Sequence, residues 1–141
     1  MDTKKVLFLC TGNSARSQMA EALLREAAGE RFEAYSAGLE PKGVHPLTIQ
    51  VLQELGIETT PLRSKSLNEY IGKMSFDALI TLCSDAEERC PFFPGSGERL
   101  HWPFDDPAAV SGSAEEKLAA FRRVRDQILA AIQGWVAQPA A

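Results

Sequence analysis

Cysteines and histidines are scarce in this sequence, and it has no long run of apolar residues. Three cysteines and two histidines in 141 residues lack the spacing that zinc sites use, so we expect no metal site. An odd number of cysteines is also poor evidence for a structural disulfide. The cysteines are better explained as catalytic or redox-active thiols.

Positive charge is also in short supply. Fifteen basic residues face nineteen acidic ones, giving a formal net charge of −4, which argues against a nucleic acid or an anionic membrane as partner. The first apolar run, residues 6–10, is too short for a signal peptide or a membrane span. We therefore expect a cytoplasmic protein that attracts an anionic substrate only locally.

The length and the 45% hydrophobic content predict one domain covering residues 1–141. Apolar patterns predict strands at 6–10, 32–37, 76–82 and 99–102. Helices are predicted at 14–28, from Pro46, after a capping box at Ser66, from Ser84, and after a second capping box at Ser113. This alternation predicts an α/β fold, a three-layer open parallel sheet with helices on both faces. Arg122, Arg123 and Arg125 are expected on the solvated face of the last helix.

The first strand leads into a loop suited to binding a tetrahedral anion. Gly12 and Asn13 tolerate the left-handed conformation that a tight loop requires, and such a loop directs its N–H groups inward. Arg16 offers a planar fork of donors that matches two oxygens of the anion. The predicted oxyanion-binding residues are Thr11, Gly12, Asn13, Ser14, Ala15, Arg16 and Ser17.

Cys10 ends the strand where the next helix begins. The positive end of the helix dipole and the loop amides favour its thiolate, and Ser17 is placed to donate a hydrogen bond to the sulfur. A cysteine and an arginine at this spacing often occur by chance, and a cysteine ending a buried strand is usually inert. The preceding strand, the Gly-Asn pair and the following helix favour a nucleophile.

The segment Cys10-Thr11-Gly12-Asn13-Ser14-Ala15-Arg16-Ser17 resembles the phosphate-binding loop of low-molecular-weight protein tyrosine phosphatases and of arsenate reductases with the same fold. The resemblance extends to Gln18-Met19-Ala20-Glu21-Ala22, Tyr35-Ser36-Ala37-Gly38, Thr81-Leu82-Cys83-Ser84-Asp85-Ala86 and Phe104-Asp105-Asp106-Pro107-Ala108. The later segments are similar to the thioredoxin-coupled arsenate reductases. The resemblance implies a four-stranded sheet in the order 2-1-3-4, with Cys10 and Cys83 at the same edge.

It also implies that Asp106 is the general acid that protonates the departing oxygen while Cys10 attacks. An Asp-Asp-Pro sequence often does no more than initiate a turn. Asp105 is then an auxiliary or a solvated turn residue.

Two activities compete for this loop. The leading interpretation is reduction of arsenate, and the alternative is hydrolysis of phosphomonoesters such as phosphotyrosine. Reduction takes two electrons and needs a second thiol, which Cys83 and Cys90 supply. Phosphatases of the resembled family place aromatic rings after the Asp-Pro pair, whereas Ala108 and Ala109 follow here. A non-catalytic anion-binding module would not require Cys10.

The resemblance implies a relay from Cys10 to Cys83 to Cys90, catalysed with Arg16 and Asp106 and regenerated by thioredoxin. Glutathione with glutaredoxin remains an alternative reductant. Seven residues of helix would separate the Cα atoms of Cys83 and Cys90 by about 10.5 Å, whereas a disulfide needs about 7 Å or less. We therefore expect this segment to unwind or to be a loop, loosened at its far end by Pro91, Pro94 and Gly95.

Asn13, Glu21 and Ser36 match positions that hold a cation in some arsenate reductases. Lys65 stands where that version has a carboxylate, and an ammonium repels a cation, so a potassium site is doubtful. Lys65 is expected to interact with Glu21 or with a bound anion. We expect a monomer without a cofactor that binds arsenate, phosphate or sulfate in the loop.

Overall fold

The computed structural model describes residues 3–90 and 96–138 and contains one parallel sheet. Its strands are β1 (Lys4–Cys10), β2 (Phe32–Gly38), β3 (Ala78–Thr81) and β4 (Glu98–His101). They lie in the order β2-β1-β3-β4, and all three pairings are parallel. The predicted fold class and strand order are confirmed. β1 is buried from Val6 onward, as expected for a central strand covered on both faces.

Four helices connect or follow the strands. They are α1 (Arg16–Ala28), α2 (Pro46–Gln53), α3 (Ser84–Arg89) and α4 (Ala114–Val136). α1 begins two residues later than predicted, because residues 14 and 15 still belong to the loop. Ser113 and Glu116 form the predicted capping box. No helix among the described residues is long and apolar enough to cross a membrane.

The capping box predicted at Ser66 is wrong. Ser66 caps only a 3₁₀ turn, Leu67–Glu69, because the Glu69 carboxylate pairs with Arg63 instead. Arg125 also differs from the prediction. It is buried, and its guanidinium donates to Val51 O at 3.0 Å and pairs with Glu54 at 2.9 Å, so it ties α4 to α2.

Aromatic contacts identify what covers each face of the sheet. On one face, Phe32 of β2 packs against Trp135 of α4, and α1 joins the same layer through a hydrogen bond from Ser36 to Glu21. On the other face, Tyr35 of β2 packs against Tyr70 after the 3₁₀ turn. α3 covers that face further along, where Thr81 of β3 donates to Glu87.

The carboxyl ends of the central strands carry two of the three cysteines. Cys10 is the last residue of β1 and lies opposite Gly38. The N–H of Leu82 donates to Leu9 O at 2.9 Å, so the chain beyond β3 continues beside β1 as far as Cys83. The prediction that both thiols reach the same edge is confirmed. The predicted loosening loop of Pro91, Pro94 and Gly95 lies outside the described residues.

Candidate active site

The loop after β1 is held open by Asn13. This residue is fully buried and has a φ of 46°, as predicted for the left-handed position. Its amide group donates to Ser17 Oγ at 2.7 Å and to Ser36 Oγ at 3.0 Å. Its side-chain oxygen, Oδ1, accepts a hydrogen bond from the backbone N–H of Lys65 at 2.7 Å. These bonds fix the loop before any ligand binds.

Gly12 does not share the left-handed conformation, and that part of the prediction is wrong. Positive φ values are found for Asn13 and for four glycines elsewhere in the described chain. Gly12 instead lies under the side chain of Lys42, whose Cδ would be 3.2 Å from a Cβ at this position. The N–H of Lys42 donates to Gly12 O at 2.9 Å, which anchors the loop after β2 to the anion-binding loop.

The backbone N–H groups of residues 11–16 donate no hydrogen bond to any protein atom in residues 3–90 and 96–138. All of these residues except Asn13 line a cavity of about 90 Å³. The cavity is lined by Cys10, Thr11, Gly12, Ser14, Ala15, Arg16, Lys42, Asp106 and Ala108. A row of available N–H groups at the start of a helix is a binding site for an anion. The volume suits a small oxyanion better than a drug-sized ligand, which requires about 300 Å³ or more.

Cys10 lies at the floor of this cavity and is only 2% exposed. Its sulfur is 2.8 Å from Ser17 Oγ. Either group can donate in this hydrogen bond; when Cys10 is a thiolate its sulfur can only accept, so the Ser17 hydroxyl is then the donor, as predicted.

Arg16 and Asp106 both line the cavity. The Nη1 group of Arg16 donates to Phe104 O at 3.0 Å, and its Nη2 is 3.9 Å from Asp106 Oδ2. Asp106 also caps the 3₁₀ turn Pro107–Ala109, since its Oδ1 accepts from the N–H of Ala108 at 3.0 Å. It is both the predicted turn initiator and a carboxylate at the cavity. Asp105 is exposed and does not line the cavity.

Cys83 is the N-cap of α3, and the N–H of Ala86 donates to its sulfur at 3.4 Å. The Oγ1 of Thr11 is 3.5 Å from the same sulfur and donates to Asp85 Oδ2 at 2.7 Å. Since Thr11 has one proton to donate, its oxygen is the acceptor for the Cys83 thiol. The hydrogen bond from Thr11 to Asp85, helped by the charge of Arg89, lowers the pKa of the Asp85 carboxyl, so Asp85 remains an ionised acceptor for the Thr11 hydroxyl.

Cys90 lies at the other end of α3 as its C-cap. It is 8% exposed, and burial raises the pKa of its thiol, while Arg99 opposes that change. All three cysteines are thiols. Because α3 is an intact helix between Cys83 and Cys90, those two residues cannot form a disulfide in this conformation.

Sequence reasoning missed three contributors to the site: Gly38, Lys42 and Asp85. A Cβ on Gly38 would come within 2.7 Å of Thr11 O and 2.8 Å of Asn13 N, so the loop packs directly on this glycine. A glycine at a strand end is a general signal for such close approach. No role at the site was predicted for Lys42 or Asp85, because their partners in the loop are distant in sequence.

Lys65 occupies the position where a cation was considered. It is 5% exposed, and its Nζ donates to Arg63 O at 2.8 Å, to Ser36 Oγ at 3.2 Å and to Glu21 Oε1 at 3.3 Å. Burial lowers the pKa of Lys65, and the Glu21 carboxylate opposes that shift. Of the two expected partners, Lys65 therefore contacts Glu21. These residues do not fit a potassium ion, because the ammonium already uses the oxygens that would bind it.

Replacing Lys65 with methionine should lower the free energy of unfolding in urea. Breaking a buried ion pair typically costs about 3–5 kcal/mol, and we expect about 2–3 kcal/mol because Arg25 still pairs with Glu21. Adding Glu21→Gln should restore part of the loss, since the buried carboxylate is then no longer charged and the Arg25 guanidinium that loses this partner is half-exposed. Wild-type stability should be equal in KCl and NaCl at equal ionic strength. Unchanged stability in Lys65→Met would contradict this assignment.

Residues 5–140 match the family model described as low molecular weight phosphotyrosine protein phosphatase. The chain belongs to this family, as the resemblance of its loop predicted. Within the family, its similar relatives include arsenate reductases. It is 44% identical to the arsenate reductase of Halalkalibacterium halodurans over 128 residues, which cover 91% of each chain.

Solved structures agree with this placement. A structure described as an arsenate reductase in the phosphate binding state aligns with a TM-score of 0.81 at 30% identity, over 96% of this chain and 98% of that one. A thioredoxin-dependent arsenate reductase of Corynebacterium glutamicum aligns with a TM-score of 0.64 at 29% identity. That alignment covers 96% of this chain and 64% of the other.

Proposed function

We propose that this protein reduces arsenate to arsenite through the thiols of Cys10, Cys83 and Cys90. The observation that carries the proposal is a second thiol beside the anion site. The sulfur of Cys83 is 3.5 Å from Thr11, a residue of the loop that Cys10 begins. Hydrolysis of a phosphomonoester needs one thiol, whereas reduction of As(V) to As(III) needs two.

The chemistry starts at the anion cavity. The loop amides and Arg16 bind arsenate, and the Cys10 thiolate attacks its arsenic atom. Asp106 donates a proton to the oxygen that leaves as water. Cys83 then attacks Cys10 Sγ, which forms a Cys10–Cys83 disulfide. The electrons of the broken S–As bond remain on arsenic, and arsenite leaves.

The third thiol restores the nucleophile. Cys90 attacks Cys83 Sγ, a Cys83–Cys90 disulfide forms, and Cys10 leaves as a thiolate. α3 has to unwind for this step, because an intact helix keeps the two Cα atoms about 10.5 Å apart. Unwinding carries the disulfide outward, where a protein reductant can reach it.

The alternative function is phosphomonoester hydrolysis through the same Cys10, Arg16 and Asp106. Family membership favours it, since the family description names a phosphatase. The lining of the cavity favours the reductase, because Ala108 lies at the rim where an aromatic ring would be needed to stack on phosphotyrosine.

We propose thioredoxin as the electron donor, in line with the thioredoxin-dependent relative of similar structure. The protein then works as a single-domain monomer in the cytoplasm, where thiols are kept reduced. Phosphate and sulfate compete with arsenate for the loop, since its donors recognise charge and shape and not the central atom.

One assay tests the choice between the two functions. Arsenate-dependent oxidation of NADPH should be measured with thioredoxin and thioredoxin reductase, beside hydrolysis of p-nitrophenyl phosphate. We expect rapid NADPH oxidation and slow hydrolysis. Hydrolysis without arsenate-dependent NADPH oxidation would establish the phosphatase instead, and glutaredoxin with glutathione in place of thioredoxin tests the alternative donor.

Replacing Asp106 with asparagine should slow the first covalent step by about a hundredfold, since a general acid acts on the leaving oxygen in the transition state. Anion binding should change little. Asparagine retains the oxygen that caps the turn at Ala108, so the loop stays in place. Rapid-quench measurement of oxidised Cys10 gives the rate. The matched control is Asp105→Asn at the exposed neighbour, and equal rates in both variants would remove Asp106 from the mechanism.

A further inference from the structure

The three thiols of the proposed relay lie in different surroundings. The Cys10 sulfur is hydrogen-bonded to the Ser17 hydroxyl. The Cys83 sulfur accepts a hydrogen bond from the N–H of Ala86 at the start of α3. Cys90 lies at the opposite end of the same helix. Carbonyl groups at a helix C-terminus carry partial negative charge, so this position disfavours a thiolate. Cys90 must nevertheless attack as a thiolate.

Arg99 of β4 supplies a positive charge at this end of α3. Its Nη2 donates to Glu87 O at 3.2 Å and lies 3.6 Å from Glu87 Oε2. Cys90 is the C-cap at this same end of α3, so the geometry places the guanidinium beside the helix end that carries Cys90. Arg99 belongs to β4 and not to α3, so unwinding of the helix does not itself move the Arg99 backbone.

The electrostatics at Cys90 oppose one another. Burial raises the pKa of the Cys90 thiol most, the charge and hydrogen bond of Arg99 lower it, and the charge of Glu87 raises it. Arg99 is therefore the group that counteracts the cost of forming a buried thiolate there. Arg99 lies outside the segments that resemble the family and does not line the anion-binding cavity.

We propose that Arg99 is a thiolate-stabilising residue of the relay, which holds the Cys90 sulfur ready to attack the Cys10–Cys83 disulfide. In that step the Cys90 thiolate forms a bond to Cys83 Sγ, the bond between Cys83 and Cys10 breaks, and Cys10 takes the electron pair as a thiolate. No outside oxidant or reductant is needed. The proposal rests on the reductase function proposed above.

The size of the effect follows from thiol–disulfide exchange. A rise of one pKa unit lowers the thiolate fraction about tenfold at neutral pH. Because a more basic thiolate is also a better nucleophile, the rate of exchange falls only about threefold for this tenfold loss of thiolate. We expect Arg99→Gln to slow the Cys90 step by about threefold to tenfold at pH 7, and the defect to shrink as the pH is raised. Arg99→Lys, which keeps the charge, should recover most of the rate.

A single turnover without reductant isolates this step. Reduced protein is mixed with less than one equivalent of arsenate, quenched in acid, alkylated and mapped for the Cys10–Cys83 and Cys83–Cys90 disulfides over time. Release of arsenite depends on Cys10 and Cys83 and should be equal in wild type and Arg99→Gln, which also shows that the variant is folded. Arg99→Gln should accumulate the Cys10–Cys83 disulfide.

Glu87→Gln is the matched control, because both variants break the same ion pair. If Arg99 only clamps α3 through Glu87, both variants release the helix and speed the Cys90 step. If Arg99 stabilises the thiolate, Arg99→Gln slows that step, whereas Glu87→Gln leaves it unchanged or speeds it. Acceleration or an unchanged rate in Arg99→Gln would overturn the proposal. Absence of any Cys10–Cys83 disulfide in wild type would refute the reductase function itself, a separate result.

Discussion

Cys10→Ser should lose arsenate reduction by a factor of roughly a thousand or more, because a serine hydroxyl is a far weaker nucleophile than a thiolate. Its hydroxyl can still occupy the buried position beside Ser17, so the loop should keep its shape. The measurement is arsenate-dependent NADPH oxidation with thioredoxin and its reductase.

Anion binding is the control for this variant. The loop amides and Arg16 remain in Cys10→Ser, so calorimetry should find sulfate affinity close to that of wild type. Loss of activity with sulfate binding retained would show that Cys10 acts in the chemical step and is not needed for anion binding. Full NADPH oxidation by Cys10→Ser would remove the covalent mechanism, whereas an unchanged biological activity without arsenate-dependent NADPH oxidation would favour a non-catalytic anion-binding module.

Cys90→Ser should release one arsenite per protein molecule and then stop. Cys10 and Cys83 complete the first reduction, but no third thiol is present to free Cys10 from the disulfide. Peptide mapping should find a Cys10–Cys83 disulfide in this variant and a Cys83–Cys90 disulfide in arsenate-treated wild type. Normal turnover of Cys90→Ser with thioredoxin, and no Cys83–Cys90 disulfide in wild type, would refute the relay.

The oxidised wild type should also differ in amide exchange. In the reduced protein, α3 spans Ser84–Arg89 and is tied to the rest of the molecule at several points. Thr11 bonds to Asp85, Thr81 to Glu87, and Arg89 to Glu40 at 2.8 Å. Formation of the Cys83–Cys90 disulfide unwinds the helix, so its amides should exchange faster after oxidation. Equal exchange in both states would mean that the helix stays intact.

The sequence by itself determined the strands, the main helices and the chemistry of the loop. Short apolar runs and helical spacing are local signals, and β1, α1 and the capping box of Ser113 follow from residues close together in the chain. Cys10, Asn13, Arg16 and Ser17 are likewise within one turn of backbone and could be assigned roles from chemistry alone. The resemblance to known proteins supplied the strand order and the position of Asp106.

Predictions of individual conformations and side-chain partners were less secure even over short distances. Asn13 is left-handed and Gly12 is not, because side-chain hydrogen bonds from Asn13 to Ser17 and Ser36 fix the turn at that residue. Arg125 was expected in solvent, yet the carbonyl of Val51 and the carboxylate of Glu54 draw it between two helices. Periodicity identifies a face of a helix and not the polar groups that will meet it.

Only the tertiary structure decided which polar groups meet around the thiols. Lys65 reaches Glu21 across 44 positions of sequence, and Thr11 reaches Asp85 across 74. Arg99 meets the end of α3 because β3 and β4 pair in one register, with Leu79 opposite Arg99. A hydrogen bond requires the distance between two atoms on separate elements to be right to within a few tenths of an ångström. Such distances are fixed by how the helices pack on the sheet, and no local pattern in the sequence encodes them.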